Sequence, residues 1–502
     1  MIERRRFLLS LGALAVSPAL ARFSAYPFTL GVASGYPSPG SVVLWTRLTG
    51  DLDPVALPVR WEVAADEAMK SVVVSGVASA EPAWAHSVHV EVKGLEPDRW
   101  YWYRLNAGDA QSPVGRTRTA PAPGAAPQRL RFAFGSCQQY EQGYFGAYRH
   151  IVADTPDLMV FLGDYIYESS WGRDHVRSHG ALEPYTLEQY RARHALYRSD
   201  PDLQAAHAAC PWVTTWDDHE RDNDYADDRP EDGMAREAFL QRRAAAYRAY
   251  YEHMPMPARM RPDAHRMRIH TRVGWGGLAE FRVLDNRQYR SWQACMRPNR
   301  TGGGNTLDVE QCAALAAPDR SMLGRAQERW LESGLADSRG RWNVLAQTTR
   351  MAQFDQKPGP GRRAWTDGWD GYPAARKRLF ESFTSNRVSN PVVIGGDVHS
   401  FHVCELKSDF DDPASPVVAS EFVGTSITSQ AWSQERVNRL LPDNPHILLA
   451  DGRYRGYTRI DVAPKLLRAD LRAVESVRQR EVGCSTLASF VVEDGRPRPQ
   501  RA

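Results

Sequence analysis

The pattern of hydrophobic and polar positions changes character near residue 122. From residue 28 to about 120, short runs that alternate or are rich in β-branched and aromatic residues are separated by Gly and Pro, as at 41–46 and 86–92. Such runs are typical of strands, and no helical period is present. An aromatic run at 100–104 resembles a late strand of a fibronectin-like fold. Residues 25–122 are therefore predicted to form a small β-sandwich, followed by a Pro-rich linker at 121–127.

After this linker, short apolar runs alternate with longer amphipathic segments. Strands are predicted at 130–134, 158–162, 212–216, 281–284, 342–346 and 392–394, and helices at 187–197 and 236–251. This alternation is typical of an α/β fold. Residues 128–495 are predicted to be one α/β domain, and the last residues, 495–502, are predicted to be a frayed polar tail.

The N-terminus has the layout of an export signal. Arg4 and Arg5 open a basic cluster, a mildly apolar stretch follows from 7 to 16, and residues 19–21 read Ala-Leu-Ala. This order matches a twin-arginine signal peptide at 1–21, with the twin-arginine translocase as partner and a periplasmic or secreted location. Because no other apolar run approaches the ~18 residues that cross a bilayer, no stable membrane anchor is expected.

Composition adds two limits. The chain of 502 residues is 42% hydrophobic and 25% charged, which excludes collagen-like, disordered and disulfide-scaffold classes. A net charge of +3 gives no indication of a nucleic-acid surface.

Of six cysteines, Cys295 and Cys312 flank a Gly-rich loop and, in an exported protein, are predicted to form a disulfide. The other cysteines are predicted to be free or metal-bound.

Reactive side chains follow four of the predicted strands. The segments are Gly-Ser-Cys at 135–137, Gly-Asp-Tyr-Ile-Tyr-Glu at 163–168, Asp-Asp-His-Glu at 217–220 and Gly-Gly-Asp-Val-His at 395–399. In α/β folds, the carboxyl ends of strands form the ligand crevice, so one shared site is expected. So many carboxylates can stay charged together only if a cation neutralises them, which indicates a metal.

The donor types favour a strongly Lewis-acidic ion. Asp164 and Tyr167, at i and i+3 of one turn, can face the same ion, and a phenolate suits Fe(III). Cys137 fits as a thiolate, and Asp397 with His399 forms a chelating Asp-x-His pair. Each element has a structural alternative: a solvated Asp218-His219 pair, a small buried Cys137, a core Tyr167. The coincidence of four such strand ends favours the metal site.

Taken together, these segments resemble the PhoD-type alkaline phosphatases of the metallophosphoesterase superfamily. The resemblance includes the runs at 30–35, 284–290, 351–355 and 369–373, and it extends from about 28 to 494. It implies two packed sheets flanked by helices after an N-terminal β-sandwich. It also implies a secreted enzyme that hydrolyses phosphate mono- and diesters with Fe(III) and Ca(II).

The resemblance assigns roles residue by residue. The expected metal ligands are Cys137, Asp164 as a bridging ligand, Tyr167, Asp397, His399, and Asp218 or Asn223. The two alternatives remain because Asp218 stands where the wider superfamily has Asn. The expected catalytic residues are His219, Asp217 and Arg287. An Fe(III)-bound hydroxide is expected to attack phosphorus while Ca(II) holds phosphate oxygens. His219 or a bound water would protonate the leaving group, and Arg287 would clamp phosphate.

The substrate is left open by these patterns. A phospholipase-D-like or wall-polymer phosphodiesterase is an alternative to a general monoesterase, because the loops that would select substrate have no readable pattern. A binding protein for phosphorylated polymers that has lost catalysis is a second alternative, because Asp218 departs from the superfamily pattern.

Overall fold

Three large β-sheets and seven helices form the framework of residues 22–502, the part of the chain that the computed structural model describes. The predicted signal peptide at 1–21 lies outside the described residues. In chain order the strands are β1 (Val32–Ser38), β2 (Ser41–Arg47), β3 (Leu57–Ala64), β4 (Val72–Ala80), β5 (Ser87–Lys93), β6 (Trp100–Ala107), β7 (Ala110–Gln111), β8 (Gly115–Arg118), β9 (Leu130–Gly135), β10 (Leu158–Leu162), β11 (Pro211–Thr215), β12 (Thr271–Trp275), β13 (Ala279–Val283), β14 (Thr306–Asp308), β15 (Trp342–Ala346), β16 (Arg363–Trp365), β17 (Pro391–Gly395), β18 (Phe401–Lys407), β19 (Val417–Val423), β20 (Ile447–Asp451), β21 (Arg455–Ala463), β22 (Leu466–Val474), β23 (Cys484–Glu493) and β24 (Arg496–Arg501). The helices are α1 (Ala147–Ala153), α2 (Leu187–Arg198), α3 (Pro201–Ala209), α4 (Arg236–His253), α5 (Gly324–Ala336), α6 (Pro373–Ser385) and α7 (Gln434–Leu440).

Two sheets pack face to face around the main core. One has ten strands in the order β24-β23-β22-β21-β9-β10-β11-β1-β2-β5, and the other has seven in the order β12-β13-β15-β17-β19-β18-β20. Phe132 of the first sheet meets Phe281 of the second edge to face, with ring centroids 5.0 Å apart. Aromatic pairs at this spacing add to the stabilisation from apolar burial.

Helices cover the outer face of the seven-stranded sheet. Along β15, Val344 belongs to the core between the sheets, whereas Leu345 packs in a second cluster with Leu331 of α5 and Phe380 of α6. Successive side chains of a strand point to opposite faces, so both faces of this strand are apolar and buried. The architecture of two packed sheets flanked by helices confirms the predicted fold class.

The N-terminal strands form two layers, and one of them is part of the large core sheet. The five-stranded layer of β4, β3, β6, β7 and β8 packs against β1, β2 and β5. β1 pairs in parallel with β11, with Ser34 opposite Pro211 and Gly35 opposite Trp212. The sequence pattern predicts these strands but not this pairing across the linker.

Most predicted elements appear at or within a few residues of their predicted positions. β10 and β15 have the predicted bounds, and α2 and α4 begin at the predicted residues. A capping box between Thr186 and Gln189 explains the start of α2. The Cys295–Cys312 disulfide is present, with Cα atoms 6.1 Å apart, and the remaining four cysteines are free.

The predicted frayed tail at 495–502 is wrong. Residues Arg496–Arg501 form β24, which pairs with β23 at the edge of the ten-stranded sheet. The Ser420 hydroxyl also donates a hydrogen bond to the Pro497 carbonyl at 2.8 Å. Backbone hydrogen bonds to a partner strand order this polar segment, and its Arg and Pro content is typical of an edge strand.

Among residues 22–502, no helix combines the length and the apolar character that crossing a membrane requires.

Candidate metal centre

The predicted site segments follow strands whose carboxyl ends align. In the ten-stranded sheet, β9, β10 and β11 are parallel, with Phe161 opposite Gly135 and Leu162 opposite Thr215. In the seven-stranded sheet, β15 and β17 are parallel, with Ala346 opposite Ile394. Loops from both sheets therefore leave at the same end of the molecule, as expected for a ligand crevice.

Four of the predicted ligands have a left-handed backbone conformation. The φ angles are 59° at Cys137, 56° at Asp164, 64° at Asp397 and 54° at His399. Non-glycine residues rarely adopt this region, and such positions cluster at functional sites. Each chain segment turns sharply just beyond its strand, which keeps the side chain at the sheet edge.

Gly163 allows the loops after β10 and β11 to touch. Its φ is +92°, and a Cβ atom there would lie 2.7 Å from the backbone nitrogen of Asp217. Only glycine fits both this conformation and this close approach.

One group of donor atoms combines a thiol, a carboxylate and an imidazole. The ligand atoms of Cys137, Asp164 and His399 lie within 4.8 Å of one another. The Tyr167 hydroxyl donates to Asp164 Oδ2 at 2.9 Å, lies 3.2 Å from His399 Nε2, and accepts a 2.9 Å hydrogen bond from the Ser429 hydroxyl. All four predicted donors therefore converge on one point.

His399 is oriented as a metal-binding imidazole usually is. Its Nδ1 lies 2.7 Å from the Gln430 carbonyl oxygen, so Nδ1 carries the proton and Nε2 faces the other donors. The Trp171 ring stacks on it, with centroids 5.6 Å apart and planes at 12°. Burial lowers the pKa of His399 to about 3, so the ring is neutral near pH 7.

A second group shares Asp164 with the first. The ligand atoms of Asp164, Asp218 and His219 lie within 4.8 Å of one another. Asp218 Oδ2 accepts a hydrogen bond from the Asp224 backbone at 2.7 Å, and its Oδ1 forms a 3.3 Å ion pair with Arg287. Oδ1 of Asp164 is buried without a hydrogen-bond partner. Asp164 is thus placed as a bridging ligand would be.

The electrostatics of the two groups fit a cation. Burial, then the nearby acidic groups, raise the pKa of Cys137 and of Tyr167 well above their ordinary values. Burial and the charges of Asp217 and Asp218 raise the pKa of Asp397 to about 7. The unpaired Asp164 oxygen beside a thiol and a phenol belongs to a donor set that a strongly Lewis-acidic cation would complete.

Asp218 and Asn223 have different surroundings. Asp218 belongs to the second donor group, whereas the Asn223 amide donates to Glu231 at 2.7 Å. Both residues line the same cavity as Asp397, which in turn accepts a 2.7 Å hydrogen bond from the Thr349 hydroxyl.

His219 is held by a carboxylate that the sequence patterns do not single out. Its Nδ1 lies 2.8 Å from Glu168 Oε2, and its ring lies 4.2 Å from the Tyr167 ring. Burial opposes protonation, but the charges of Glu168, Asp218 and Asp164 outweigh burial and raise the pKa of His219 well above its ordinary value. His219 therefore carries a proton near pH 7 in this arrangement and has one available to donate.

Asp217 and Arg287 lie behind the donor groups. Arg287 forms ion pairs with Asp217, with Asp218 at 3.3 Å and with Asp367 at 2.8 Å, and its side chain is buried. Asp217 also accepts a 2.9 Å hydrogen bond from Thr348. Neither residue lines the cavity, so the structure places both beneath the site, where they hold Asp218 and its loop.

A cavity of about 840 Å³ opens over the donor groups. Its polar and aromatic walls include residues that the sequence patterns do not assign to the site: Trp171, Asp224, Glu231, Arg350, Phe354, His402, Trp432 and Arg436. Glu168, which holds His219, is the last residue of the segment at 163–168, so the sequence pattern places it next to the site without giving it a role. Trp171 and Arg350 lie close to the marked segments at 163–168 and 351–355 but belong to neither, and the packing of the two sheets turns them toward the cavity.

Comparisons with known proteins agree with this architecture. The profile of the PhoD-like phosphatase family matches residues 132–471, and the profile of the N-terminal domain of PhoD-like phosphatases matches residues 14–121. Alkaline phosphatase D of Bacillus subtilis (strain 168) is 46% identical over 500 residues, covering 96% of this chain and 84% of that protein.

A solved structure of PhoD superposes on this chain with a TM-score of 0.90 at 45% identity, covering 96% of this chain and 93% of that one. The matches include all four segments that carry the donor groups. The chain therefore belongs to the PhoD-like phosphatase family.

Proposed function

We propose that this protein hydrolyses phosphate mono- and diesters in the cavity above the two donor groups. The observation that carries the proposal is the convergence of two sets of metal-binding side chains on the shared carboxylate of Asp164. Two-metal sites of this kind are the usual solution for in-line displacement at phosphorus.

The type of donor atom in each group indicates which metal ion that group would hold. Cys137, Tyr167 and His399, with Asp164, would hold Fe(III), because thiolate and phenolate ligands suit that ion. The oxygen donors Asp397 and either Asp218 or Asn223 would hold Ca(II), which prefers oxygen ligands. When bound, such cations lower the pKa of a bound water and neutralise phosphate oxygens.

His219 would protonate the departing oxygen of the ester. The Glu168 carboxylate is hydrogen-bonded to Nδ1 of His219 and stabilises the protonated ring. Nε2 of His219 is then available to the substrate. Asp217 and Arg287 would act indirectly, since their ion pairs hold the loop that carries Asp218 and His219.

The test is metal analysis combined with activity and colour. Purified protein should contain iron and calcium, hydrolyse chromogenic mono- and diesters with Ca(II) present, and absorb visible light through phenolate charge transfer. Tyr167→Phe should remove the colour. Tyr165→Phe is the matched control, because the Tyr165 hydroxyl bonds to His207 at 2.8 Å instead of entering the donor groups. A colourless, iron-free and fully active protein would refute the iron assignment.

We also propose export by the twin-arginine translocase to the periplasm or the medium. The proposal is supported by the Arg4-Arg5 pattern and the Ala-Leu-Ala at 19–21. Replacing Arg4 and Arg5 by Lys should retain the protein inside the cell, and fractionation that finds it still exported would contradict this route.

A further inference from the structure

Arg350 is a cation of the cavity wall that forms no ion pair and leaves a buried nitrogen without a hydrogen-bond partner. The Arg350 guanidinium lies over the Phe354 ring, 4.1 Å from its centroid, and its Nε is buried without a hydrogen-bond partner. Within residues 22–502, no carboxylate lies close enough to Arg350 to form an ion pair. By contrast, Arg287 is paired with three carboxylates.

The backbone around Arg350 is held firmly. Glu421 of β19 accepts hydrogen bonds from the Met351 nitrogen at 2.5 Å and the Ala352 nitrogen at 2.9 Å. Arg376 of α6 donates to the Met351 carbonyl at 3.0 Å. These contacts fix the path of the loop immediately after Arg350, while the guanidinium itself contacts the Phe354 ring and forms no ion pair.

The preceding residue ties this loop to the metal centre. The Thr349 hydroxyl donates to Asp397 Oδ2 at 2.7 Å, and Arg350 lines the same cavity as Asp164, Asp218 and Asp397. A half-buried cation without a partner is costly unless an anion completes it. A guanidinium has the geometry to bind two phosphate oxygens at once.

We infer that Arg350, and not Arg287, contacts the non-bridging oxygens of the phosphoryl group. The inference rests on the proposed function and assigns it a substrate-binding residue. A monoester has three terminal oxygens and a diester two, so a residue that supplements the metals at these oxygens should matter more for monoesters. Phe354 and Glu421 act as positioning residues, Phe354 through the Arg350 side chain and Glu421 through the backbone nitrogens of Met351 and Ala352.

The experiment measures binding of inorganic phosphate to the metal-loaded protein by calorimetry, with metal content and steady-state kinetics in parallel. Arg350→Met should weaken phosphate binding about 10- to 100-fold, as expected for loss of a charge-assisted hydrogen bond, at unchanged metal content. Its kcat/KM should fall several-fold more on a monoester than on a diester. Arg350→Lys should restore part of the binding, because it keeps the charge but not the fork.

Two variants discriminate between explanations. Arg436→Met removes another cation of the same cavity, one that stacks 3.6 Å from the Trp432 ring centroid, and should change phosphate affinity less than threefold. Arg287→Met should lose metal, because it unpairs Asp217 and Asp218.

The outcomes separate the two hypotheses. Suppose that the wild-type protein hydrolyses esters and binds phosphate, and that Arg350→Met binds phosphate with an affinity within threefold of wild type. The inference about Arg350 is then overturned, and the proposed function stands. If Arg287→Met keeps its metal and loses phosphate binding instead, the phosphate contact belongs to Arg287. If the metal-loaded wild-type protein neither hydrolyses esters nor binds phosphate, the proposed function fails and the inference with it.

Discussion

The two histidines of the candidate metal centre have different hydrogen-bond partners at Nδ1. His399 is fixed through Nδ1 by a backbone carbonyl, which is neutral and leaves Nε2 as a lone-pair donor. His219 is fixed through Nδ1 by the Glu168 carboxylate, which stabilises the protonated ring. The same side chain is thus suited to ligation in one place and to proton transfer in the other.

Alanine substitutions at these two positions should therefore have different effects. His399→Ala should come out metal-poor, because an imidazole ligand contributes directly to metal affinity. His219→Ala should keep its metal and lose ~100- to 10,000-fold in turnover on alkyl esters, with a smaller loss on nitrophenyl esters, whose leaving group needs little protonation. Metal analysis and kinetics on both ester types check this.

A ligand atom of His219 also lies within 4.8 Å of those of Asp164 and Asp218. A metal-ligand role for His219 is therefore the alternative to be tested. If His219→Ala loses metal while His399→Ala retains it, the two roles are reversed.

At the scale of elements, the loop closed by the disulfide supports the metal centre from outside. The Gly304 nitrogen donates to Asp224 Oδ2 at 2.9 Å, and the Asp224 nitrogen donates to Asp218 Oδ2 at 2.7 Å. The Asn305 amide donates to the Cys295 carbonyl at 3.0 Å. The disulfide thus restrains a loop that is two hydrogen bonds away from a candidate ligand.

Replacing both Cys295 and Cys312 by Ser should weaken stability and metal retention together. Opening this crosslink of sequence separation 17 should lower the free energy of unfolding by about 3 kcal/mol through the entropy of the unfolded chain. Metal release to a chelator should also become faster, because the loop that orients Asp224 loosens. Thermal denaturation and chelator kinetics measure the two effects, with Cys484→Ser as a control outside the site. Unchanged chelator kinetics in the double variant would show that the loop does not support the metal centre.

At the scale of the whole molecule, the N-terminal strands and the core share one sheet. Beyond the β1–β11 pairing, Trp45 of β2 donates to the Glu252 carbonyl of α4 at 3.1 Å. His89 of β5 stacks on Tyr251 of α4, with ring centroids 4.3 Å apart. These contacts predict that the N-terminal strands and the core unfold as one cooperative unit.

The contact of His89 makes this junction sensitive to acid. Its Nδ1 lies 3.0 Å from the Met256 carbonyl, its Nε2 is buried without a partner, and burial lowers its pKa to about 4. In the unfolded chain the imidazole has its ordinary pKa of about 6.5. The stabilisation is therefore complete above about pH 6.5 and is lost as the pH falls toward 4, because only the unfolded state then takes up the proton.

The variant His89→Phe isolates this effect. Because phenylalanine cannot be protonated, wild type should lose on the order of 2 kcal/mol of unfolding free energy relative to the variant between pH 8 and pH 5. Denaturant unfolding of both proteins at each pH gives the difference directly. A difference that does not change with pH would contradict the assignment.

The sequence by itself determined the elements and the place of the site. Apolar runs predict β9, β10, β11, β15 and β17, because a strand buried on both faces must be apolar along its length. Chemistry-bearing residues directly after those runs predict one crevice, because parallel strands align their carboxyl ends. Both predictions need only the local pattern of apolar and polar residues in the sequence.

The tertiary structure decided which side chains of those loops reach the crevice. Asp217 and Asp218 are adjacent in sequence, yet one is buried against Arg287 and Thr348 and the other lines the cavity. Arg287 is suited to phosphate by residue type but is paired with three carboxylates, whereas Arg350 lies just outside the run at 351–355 and contacts the Phe354 ring without forming an ion pair. Left-handed turns and contacts between the two sheets set these directions, and β24 likewise depends on its partner strand. Such contacts join residues far apart in the chain, so no local pattern encodes them.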